Sequence, residues 1–291
     1  MRSRRILYVA CGAAGLCALA TFTGFAAGAS QAAAPHQAAS PKAASPKSPH
    51  FTVEPMIRVP GASNSGMTLT SGNWAGYVAL PRKVSGSFRH VQATFTVPSV
   101  NCAKTPKGIA VQWVGLDGFN SNTVEQDGVQ ASCGSGGPVY AAWWENFPKN
   151  PIEVVSSVKV RPGDAITASV FFNAAAGAHH NQYNLVLTDV TNGKSFNLWK
   201  PCGASSCPNN SAEVISEAPS NSEGILPLAD YGIASFLSVG VTNKAGQRGG
   251  IAGKNWTNDR IIQTGKGGHT LATPSPLFGG KGFSNTWKRP T

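Results

Sequence analysis

Short runs of β-branched and aromatic residues, separated by turn residues, dominate this chain after about residue 70 and restrict the folds open to it. No window of a dozen residues repeats apolar side chains at helical spacing. The runs that we interpret as strands are 86–97, 109–116, 138–147, 153–160, 165–173, 183–190 and 233–242. Each is bounded by Gly, Pro, Asn or Asp, as hairpin and meander turns require. Because no helices are available to cover a parallel sheet, the pattern predicts antiparallel sheets packed face to face, an all-β sandwich.

The first 69 residues are predicted to lie outside this sandwich. Residues 1–29 combine a basic start with an apolar run that ends in small residues, the layout of a secretory signal peptide. A retained membrane anchor is the alternative, and the many alanines and glycines of the run disfavour it. Residues 30–69 begin with an Ala/Pro/Ser/Lys-rich stretch that cannot bury a core, so we interpret them as a propeptide or linker. We expect residues 70–291 to form one secreted, extracellular domain that has no membrane contact after signal removal.

The formal net charge of +11 overstates how basic that domain is. Six Lys/Arg residues and one acid fall in residues 1–69, which leaves +6 on residues 70–291. The remaining bases are scattered and form no dense run. Nucleic-acid binding is therefore not expected.

The cysteines after residue 70 indicate two disulfides in an exported protein. They are Cys102, Cys133, Cys202 and Cys207. Four cysteines allow three pairings, of which we prefer Cys102–Cys133 with Cys202–Cys207. Zinc is the rival interpretation, but the chain has no C-x-x-C, and His179-His180 is not at ligand spacing from any cysteine. No metal and no cofactor are expected.

The familiar catalytic motifs are absent from the sequence, which leaves carboxylate chemistry. There is no G-x-S-x-G, no H-E-x-x-H and no phosphate-binding G-x-x-x-x-G-K-[ST]. Acids lie instead in aromatic-rich segments, at 112–118, 124–129, 142–148 and 211–217. Glu213 and Glu217 are four residues apart on a predicted strand and therefore share a face. Such acids beside tryptophans fit a polymer-binding groove; the alternative is that the tryptophans are core residues and the acids are solvated.

Seven blocks in a fixed order make a resemblance specific. They are S-G-N-W-A-G-Y-V (71–78), F-T-V-P (95–98), W-V-G-L-D-G (113–118), E-Q-D-G-V (125–129), A-W-W-E-N-F-P (142–148), A-E-V-I-S-E (212–217) and A-D-Y-G (229–232). Over residues 71 to about 245 the chain resembles the glutamic peptidases, also called eqolisins. The resemblance implies a concanavalin-like sandwich of two curved antiparallel sheets, whose concave face forms the substrate groove.

The resemblance also implies a catalytic pair. Gln126 falls on the family's catalytic glutamine and Glu213 on its catalytic glutamate. The residues that it places in substrate binding are Trp113, Asp117, Trp143 and Glu145. The chain departs from the family pattern in carrying Asp127 where a small hydroxyl residue is usual and Gln130 where an acid is usual. It also lacks the acidic surface of the fungal members.

These residues predict a monomeric, acid-active endopeptidase that acts on proteins or peptides. Glu213 would activate water as a general base, and the Gln126 amide would stabilise the oxyanion. Residues 51–69 are predicted to occupy the groove until acid releases them, with self-cleavage near residues 60–70. Two alternatives remain open here. One is a carbohydrate- or wall-binding sandwich that stacks sugars on Trp113, Trp143 and Trp144; the other is a glycoside hydrolase that uses two carboxylates such as Glu145 and Glu213.

Overall fold

The structure, a computed structural model, describes residues 51–59, 68–82 and 87–290. The predicted signal peptide (1–29), residues 30–50 of the predicted propeptide and residues 60–67 of the predicted self-cleavage region (60–70) lie outside the described residues. The strands are β1 (Thr68–Ser71), β2 (Trp74–Pro81), β3 (Phe88–Thr96), β4 (Ile109–Leu116), β5 (Val124–Gly134), β6 (Gly137–Phe147), β7 (Asn150–Val154), β8 (Ala165–Asn173), β9 (Gln182–Asp189), β10 (Lys194–Pro201), β11 (Ala212–Glu217), β12 (Ser220–Asn221), β13 (Gly224–Ile225), β14 (Ile233–Asn243), β15 (Arg248–Gly249), β16 (Trp256–Thr264), β17 (Thr270–Pro274) and β18 (Phe283–Trp287). The described part contains no α-helix and one 3₁₀ turn, Lys266–Gly268.

The strands form one long hydrogen-bonded sheet that folds back on itself to make the sandwich. Its strand order is β10-β9-β8-β3-β14-β18-β17-β16-β2-β11-β4-β5-β6-β7, with β1 and β15 attached at its sides. All pairings are antiparallel except that of β1 with β16. Strand β3 packs against β4 and β11, and β8 packs against β4 and β5, so one half of the sheet covers the other. The predicted all-β sandwich is confirmed.

The central strands are buried on both faces, and the alternation of β4 shows why. Val114 and Leu116 point into the apolar core between the two layers. Val111 and Trp113 point to the opposite face, where they join a second apolar cluster. Strands that are buried on both sides read as nearly continuous apolar runs. We call this second face, carried by β2, β11, β4, β5 and β6, the cleft.

The strand predicted at 153–160 is wrong in its second half. Strand β7 ends at Val154, and the chain then turns. Val158 and Val160 are buried in the core between the layers without belonging to a strand. The apolar alternation in this segment therefore reflects burial and not strand pairing.

Two disulfides cross-link the connections that precede β4 and β11. Cys102 pairs with Cys133, with Cα atoms 5.3 Å apart, and Cys202 pairs with Cys207, with Cα atoms 5.9 Å apart. The pairing preferred from the sequence is confirmed. Among the described residues, no helix has the length and apolar character needed to cross a membrane.

Candidate active site

Gln126 and Glu213 lie on the cleft face, one on each side of strand β4. Gln126 on β5 and Glu213 on β11 are both paired with Gly115 on β4. Residues directly opposite each other in a ladder project to the same face. Two strand spacings place their backbones about 10 Å apart. Gly115 has no side chain, so the residue of β4 that lies between Gln126 and Glu213 places no side chain between them.

Glycines make room for tryptophan on the floor of the cleft. A Cβ on Gly115 would lie 2.8 Å from Cζ3 of Trp113, so the indole occupies the space that a side chain would need. A Cβ on Gly128 would lie 2.7 Å from Cβ of Trp113 and 2.2 Å from the carbonyl oxygen of Gln112. Gly128 is paired with Trp113 on one side and with Trp143 on the other. The glycine of the E-Q-D-G-V block (125–129) is therefore required by the packing of Trp113.

The Gln126 amide is held by a neighbouring acid. Glu145 on β6 lies directly opposite Gln126, and its Oε2 accepts a hydrogen bond from Gln126 Nε2 at 3.0 Å. The same amide nitrogen donates to the backbone carbonyl of Val53 at 2.7 Å. Gln126 is thus oriented with its donor group directed at a peptide carbonyl.

Glu213 is fully buried, and neither of its carboxyl oxygens has a hydrogen-bond partner within the part of the chain that the structure describes. Burial raises the pKa of Glu213 well above its ordinary value; the nearby Ser211 side chain lowers this pKa, and the negative charges of Asp117 and Glu125 raise it. A carboxyl in such surroundings binds a proton more readily than one in water. Its oxygens could bind a reactant only after the site opens, because Glu213 is 0% exposed here.

A third acid, Glu217, shares this face, as the alternation along β11 predicted. Its Oε2 accepts a hydrogen bond from Trp113 Nε1 at 3.0 Å, and its Oε1 accepts one from Asn73 Nδ2 at 3.0 Å. Burial raises the pKa of both Glu217 and Glu145 well above the ordinary value. The cleft therefore gathers three buried carboxyls around one glutamine.

Residues 51–58, which we call the N-terminal segment, run across this face and cover it. Val53 is completely buried, and Phe51 and Met56 are nearly so, in the apolar cluster that contains Trp113 and Trp143. Gln126 and Glu213 are both 0% exposed in this arrangement. A cavity of about 490 Å³ opens beside Phe51, and one of about 700 Å³ opens beside Ile57 and Val59. The segment therefore fills the middle of a longer cleft.

Asp117 lies at the edge of the site and is engaged with backbone. It follows β4 with a positive φ of 74°, and its two carboxyl oxygens accept the N–H groups of Asn209 and Asn210, each at 2.8 Å. Burial raises the pKa of Asp117 to about 6, although these two hydrogen bonds lower it. Asp117 thereby holds the chain that enters β11, the strand that carries Glu213.

The other aromatic and acidic side chains of the motifs face different surroundings. Trp113 and Trp143 lie in the cleft floor, fully buried. Trp144 points into the core between the layers. By the alternation of β5, Glu125 and Asp127 also face that core, and burial raises the pKa of both well above the ordinary value.

Sequence reasoning did not identify every residue of the cleft. Asn73 was quoted only as part of the S-G-N-W block, and no role was given to the two glycines of the floor. For Glu217, the alternation of side chains between the two faces of β11 was the sequence signal that placed it beside Glu213. No local signal marks Val53, because its contacts are with strands far along the chain.

Comparison with known proteins gives one family and one fold. Residues 72–280 match the model of the Peptidase A4 family. Scytalido-glutamic peptidase with a transition-state analogue inhibitor is similar in structure, with a TM-score of 0.61 and 22% identity, over 75% of this chain and 98% of that one. SCP-B, a member of the eqolisin family in complex with the tripeptide Ala-Ile-His, has a TM-score of 0.58 and 23% identity over 75% and 98% of the two chains. Aspergilloglutamic peptidase from Aspergillus niger has a TM-score of 0.53 and 21% identity over 62% and 100%. A search of curated proteins gave no match.

Proposed function

The chain belongs to the Peptidase A4 family of peptide-bond hydrolases, and from this premise we propose that it is a secreted, acid-active endopeptidase whose catalytic pair is Gln126 and Glu213. The observation that carries the proposal is the placement of these two residues on one face, on either side of Gly115. Protein and peptide substrates would enter the cleft as extended chains. The enzyme is proposed to act as a monomer and to need no cofactor.

In the proposed reaction, Glu213 as a carboxylate takes a proton from water while the hydroxide adds to the carbonyl carbon of the substrate. The Gln126 amide donates a hydrogen bond to the carbonyl oxygen as it becomes an oxyanion. Glu213 then returns the proton to the leaving nitrogen as the C–N bond breaks. The products are a carboxylic acid and an amine. The hydrogen bond from Gln126 Nε2 to the Val53 carbonyl supports this role, because it is the contact that an attacked carbonyl requires.

Acid activity follows from the crowding of carboxyls in the cleft. Glu145, Glu213 and Glu217 share one buried face, and burial raises the pKa of each. In the covered cleft Glu213 is therefore itself protonated at low pH. We expect that displacement of the N-terminal segment admits water and lowers the pKa of Glu213, so that it ionises while its neighbours stay neutral. Toward neutrality the other carboxyls ionise as well, and we expect activity to fall.

Access to the pair requires movement of the N-terminal segment. Residues 51–58 bind Gln126, Glu145 and Glu217 on this face, and Glu213 is fully buried, so an external substrate and this segment compete for the same space. This fits the prediction that residues 30–69 act as a propeptide. Two disulfides suit an oxidising, extracellular compartment. We accordingly expect the full-length protein to be latent until the segment is displaced.

The occupant of the cleft argues against sugar binding. Trp144 faces the core between the layers and offers no ring face for stacking, and Trp113 and Trp143 are packed against a peptide, residues 51–58, that the cleft binds through its backbone. A glycoside hydrolase needs two carboxyls on either side of the bond to be cleaved. Glu145 and Glu213 are separated by two strands, β4 and β5, and the side chain that lies against Glu145 is the Gln126 amide. This arrangement does not favour the glycoside hydrolase alternative.

The test compares wild type, Gln126→Ala and Glu213→Gln in digestion of a denatured protein at about pH 4, beside a polysaccharide assay. Loss of one oxyanion donor typically lowers the rate by about 10²–10³. We expect that loss for Gln126→Ala, loss of activity for Glu213→Gln, and near-native unfolding curves for both. The exposed acid Glu153 supplies the control Glu153→Gln, which should keep full activity. Activity retained by Glu213→Gln, or constant up to pH 8 in wild type, contradicts the mechanism.

A further inference from the structure

The backbone of Val53 is bound by one wall of the cleft. Its N–H donates to Oε2 of Glu145 at 3.0 Å, and its C=O accepts from Nε2 of Gln126 at 2.7 Å. One carboxyl oxygen of Glu145 therefore receives two donors, the peptide N–H and the Gln126 amide. This arrangement ties the position of the Gln126 amide to the presence of a peptide backbone.

The next residue, Glu54, is bound by the opposite wall. Its N–H donates to Oε1 of Glu217 at 3.2 Å, and its C=O accepts from Nε1 of Trp74 at 3.0 Å. In an extended chain, successive residues direct their backbone groups to opposite sides. Val53 and Glu54 follow that pattern, so the two walls bind peptide backbone and not a particular side chain.

Among the described residues, the hydrogen-bond partners of Glu145 and Glu217 are N–H groups. Both are 0% exposed. The ion pair found in the described ranges, Lys104 with Asp230, involves neither of them. A buried carboxyl that lacks donors is strongly destabilising. The cleft itself supplies the Gln126 amide to Glu145 and the Asn73 and Trp113 N–H groups to Glu217, and the peptide N–H groups at Val53 and Glu54 add one further donor to each carboxyl.

We propose that Glu145 and Glu217 bind substrate backbone on the two sides of the bond to be cleaved. Glu145 binds the N–H of the residue that supplies the attacked carbonyl, and Glu217 binds the N–H of the leaving nitrogen. This rests on the proposed function, because it takes Gln126 as the residue that binds that carbonyl. With the segment placed in this way, the peptide bond between Val53 and Glu54 occupies the position of the substrate bond to be cleaved. Hydrolysis of a substrate bond at this position adds hydroxide to its carbonyl carbon and a proton to its nitrogen.

The substrate class follows from these contacts. A substrate must present an N–H at both positions, so N-methylated residues and proline are excluded there. The cavities of about 490 and 700 Å³ at the two ends of the N-terminal segment leave room for chain beyond residues 51 and 58. The cleft therefore accepts extended peptides of eight residues or more, cut internally.

The first test uses paired peptides with the sequence of residues 51–58, one unmodified and one N-methylated at the residue that corresponds to Val53. Acid-activated wild type, Glu145→Ala and Glu217→Ala are compared by kcat/KM. A hydrogen bond to an uncharged carboxyl makes a modest contribution, so N-methylation should lower kcat/KM about threefold to tenfold in wild type. Glu217→Ala is the matched control and should show the same loss, since it binds the next N–H. Glu145→Ala should show little loss; a loss in that variant as large as in wild type, or no loss in wild type, overturns the inference.

The second test needs no catalysis and uses the full-length chain with Glu213→Gln. Amide hydrogen exchange at Val53 and Glu54 reports how firmly the cleft holds the segment. We expect slow exchange that becomes at least tenfold faster on adding Glu145→Ala or Glu217→Ala, and no change on adding Glu153→Gln. If no peptide is hydrolysed by wild type but exchange responds in this way, the proposed function fails while backbone binding stands. Exchange that neither substitution changes overturns the backbone-binding role itself.

Discussion

Replacing Asp117 by Asn should change how the stability of this protein depends on pH. Burial raises the pKa of Asp117 from its ordinary value of 3.8 to about 6 in the folded protein. A group whose folded pKa is raised contributes stability that is fully present below the unfolded pKa and is lost as pH rises through the folded pKa. At about 1.4 kcal/mol for each pH unit, ionisation of Asp117 costs about 3 kcal/mol between pH 3.8 and pH values above 6.

Asparagine abolishes that titration but loses a hydrogen bond. Both Asp117 oxygens accept backbone N–H groups, from Asn209 and Asn210, and an amide presents only one acceptor. We expect Asp117→Asn to be less stable than the parent by about 1–2 kcal/mol near pH 3. At pH 8, where the parent has lost about 3 kcal/mol, the variant should equal or exceed it.

Urea unfolding from pH 3 to pH 8 measures this, in the Glu213→Gln background so that self-digestion does not intervene. The difference in free energy of unfolding between variant and parent should change by about 3 kcal/mol over that range. The control Glu153→Gln removes an exposed acid and should leave the pH dependence unchanged. A difference for Asp117→Asn that stays constant with pH, or that changes in the opposite direction, refutes the reasoning.

Three further substitutions test the packing and the cover of the cleft. Gly128→Ala would place a Cβ 2.2 Å from the carbonyl oxygen of Gln112, so we expect a loss of at least about 2 kcal/mol in chemical unfolding; a near-neutral effect would contradict the packing described. Burial raises the pKa of Asp127, so Asp127→Asn should raise the melting temperature at pH 7 and give no gain at pH 3. A gain in melting temperature at pH 3 but not at pH 7 would be inconsistent with that burial. Val53→Asp puts a charge at a fully buried position of the N-terminal segment, so peptidase activity at pH 4 should start without a lag, whereas an unchanged lag would show that the segment does not block the cleft.

The strands were largely predictable because a period of two residues is a local signal. The predicted runs at 109–116 and 165–173 coincide with β4 and β8. Strand β5 (Val124–Gly134) was not among the predicted runs, although its start lay in a motif. Three consecutive polar residues there, Glu125 to Asp127, are buried on alternate faces, and burial of that kind depends on neighbouring strands.

The site was only partly predictable for a related reason. Alternation along β11 predicted that Glu213 and Glu217 share a face, and they do, since the residues between and beside them alternate between the core and the cleft. Gln126 was identified only through the family resemblance, and its place opposite Gly115 depends on the register of two long-range ladders. Asp117 was expected in the groove, yet its oxygens hold the backbone before β11. A contact of this kind, 92 residues apart for Asn209, leaves no trace in local sequence.

The burial of acids links the proposed chemistry to the stability of the fold. Eight of the 13 acids in the chain are buried, namely Asp117, Glu125, Asp127, Glu145, Asp189, Glu213, Glu217 and Asp230. Over the described residues, one of these eight, Asp230, has a basic partner, Lys104. An unpaired buried carboxyl is tolerated when it is protonated and costs stability when it ionises. A fold with so many such groups is most stable in acid, whatever its cleft does. The same burial that makes neutral pH unfavourable for the fold keeps the carboxyls of the covered cleft protonated in acid, Glu213 included, so the proposed acid activity requires both this acid stability and the opening of the cleft.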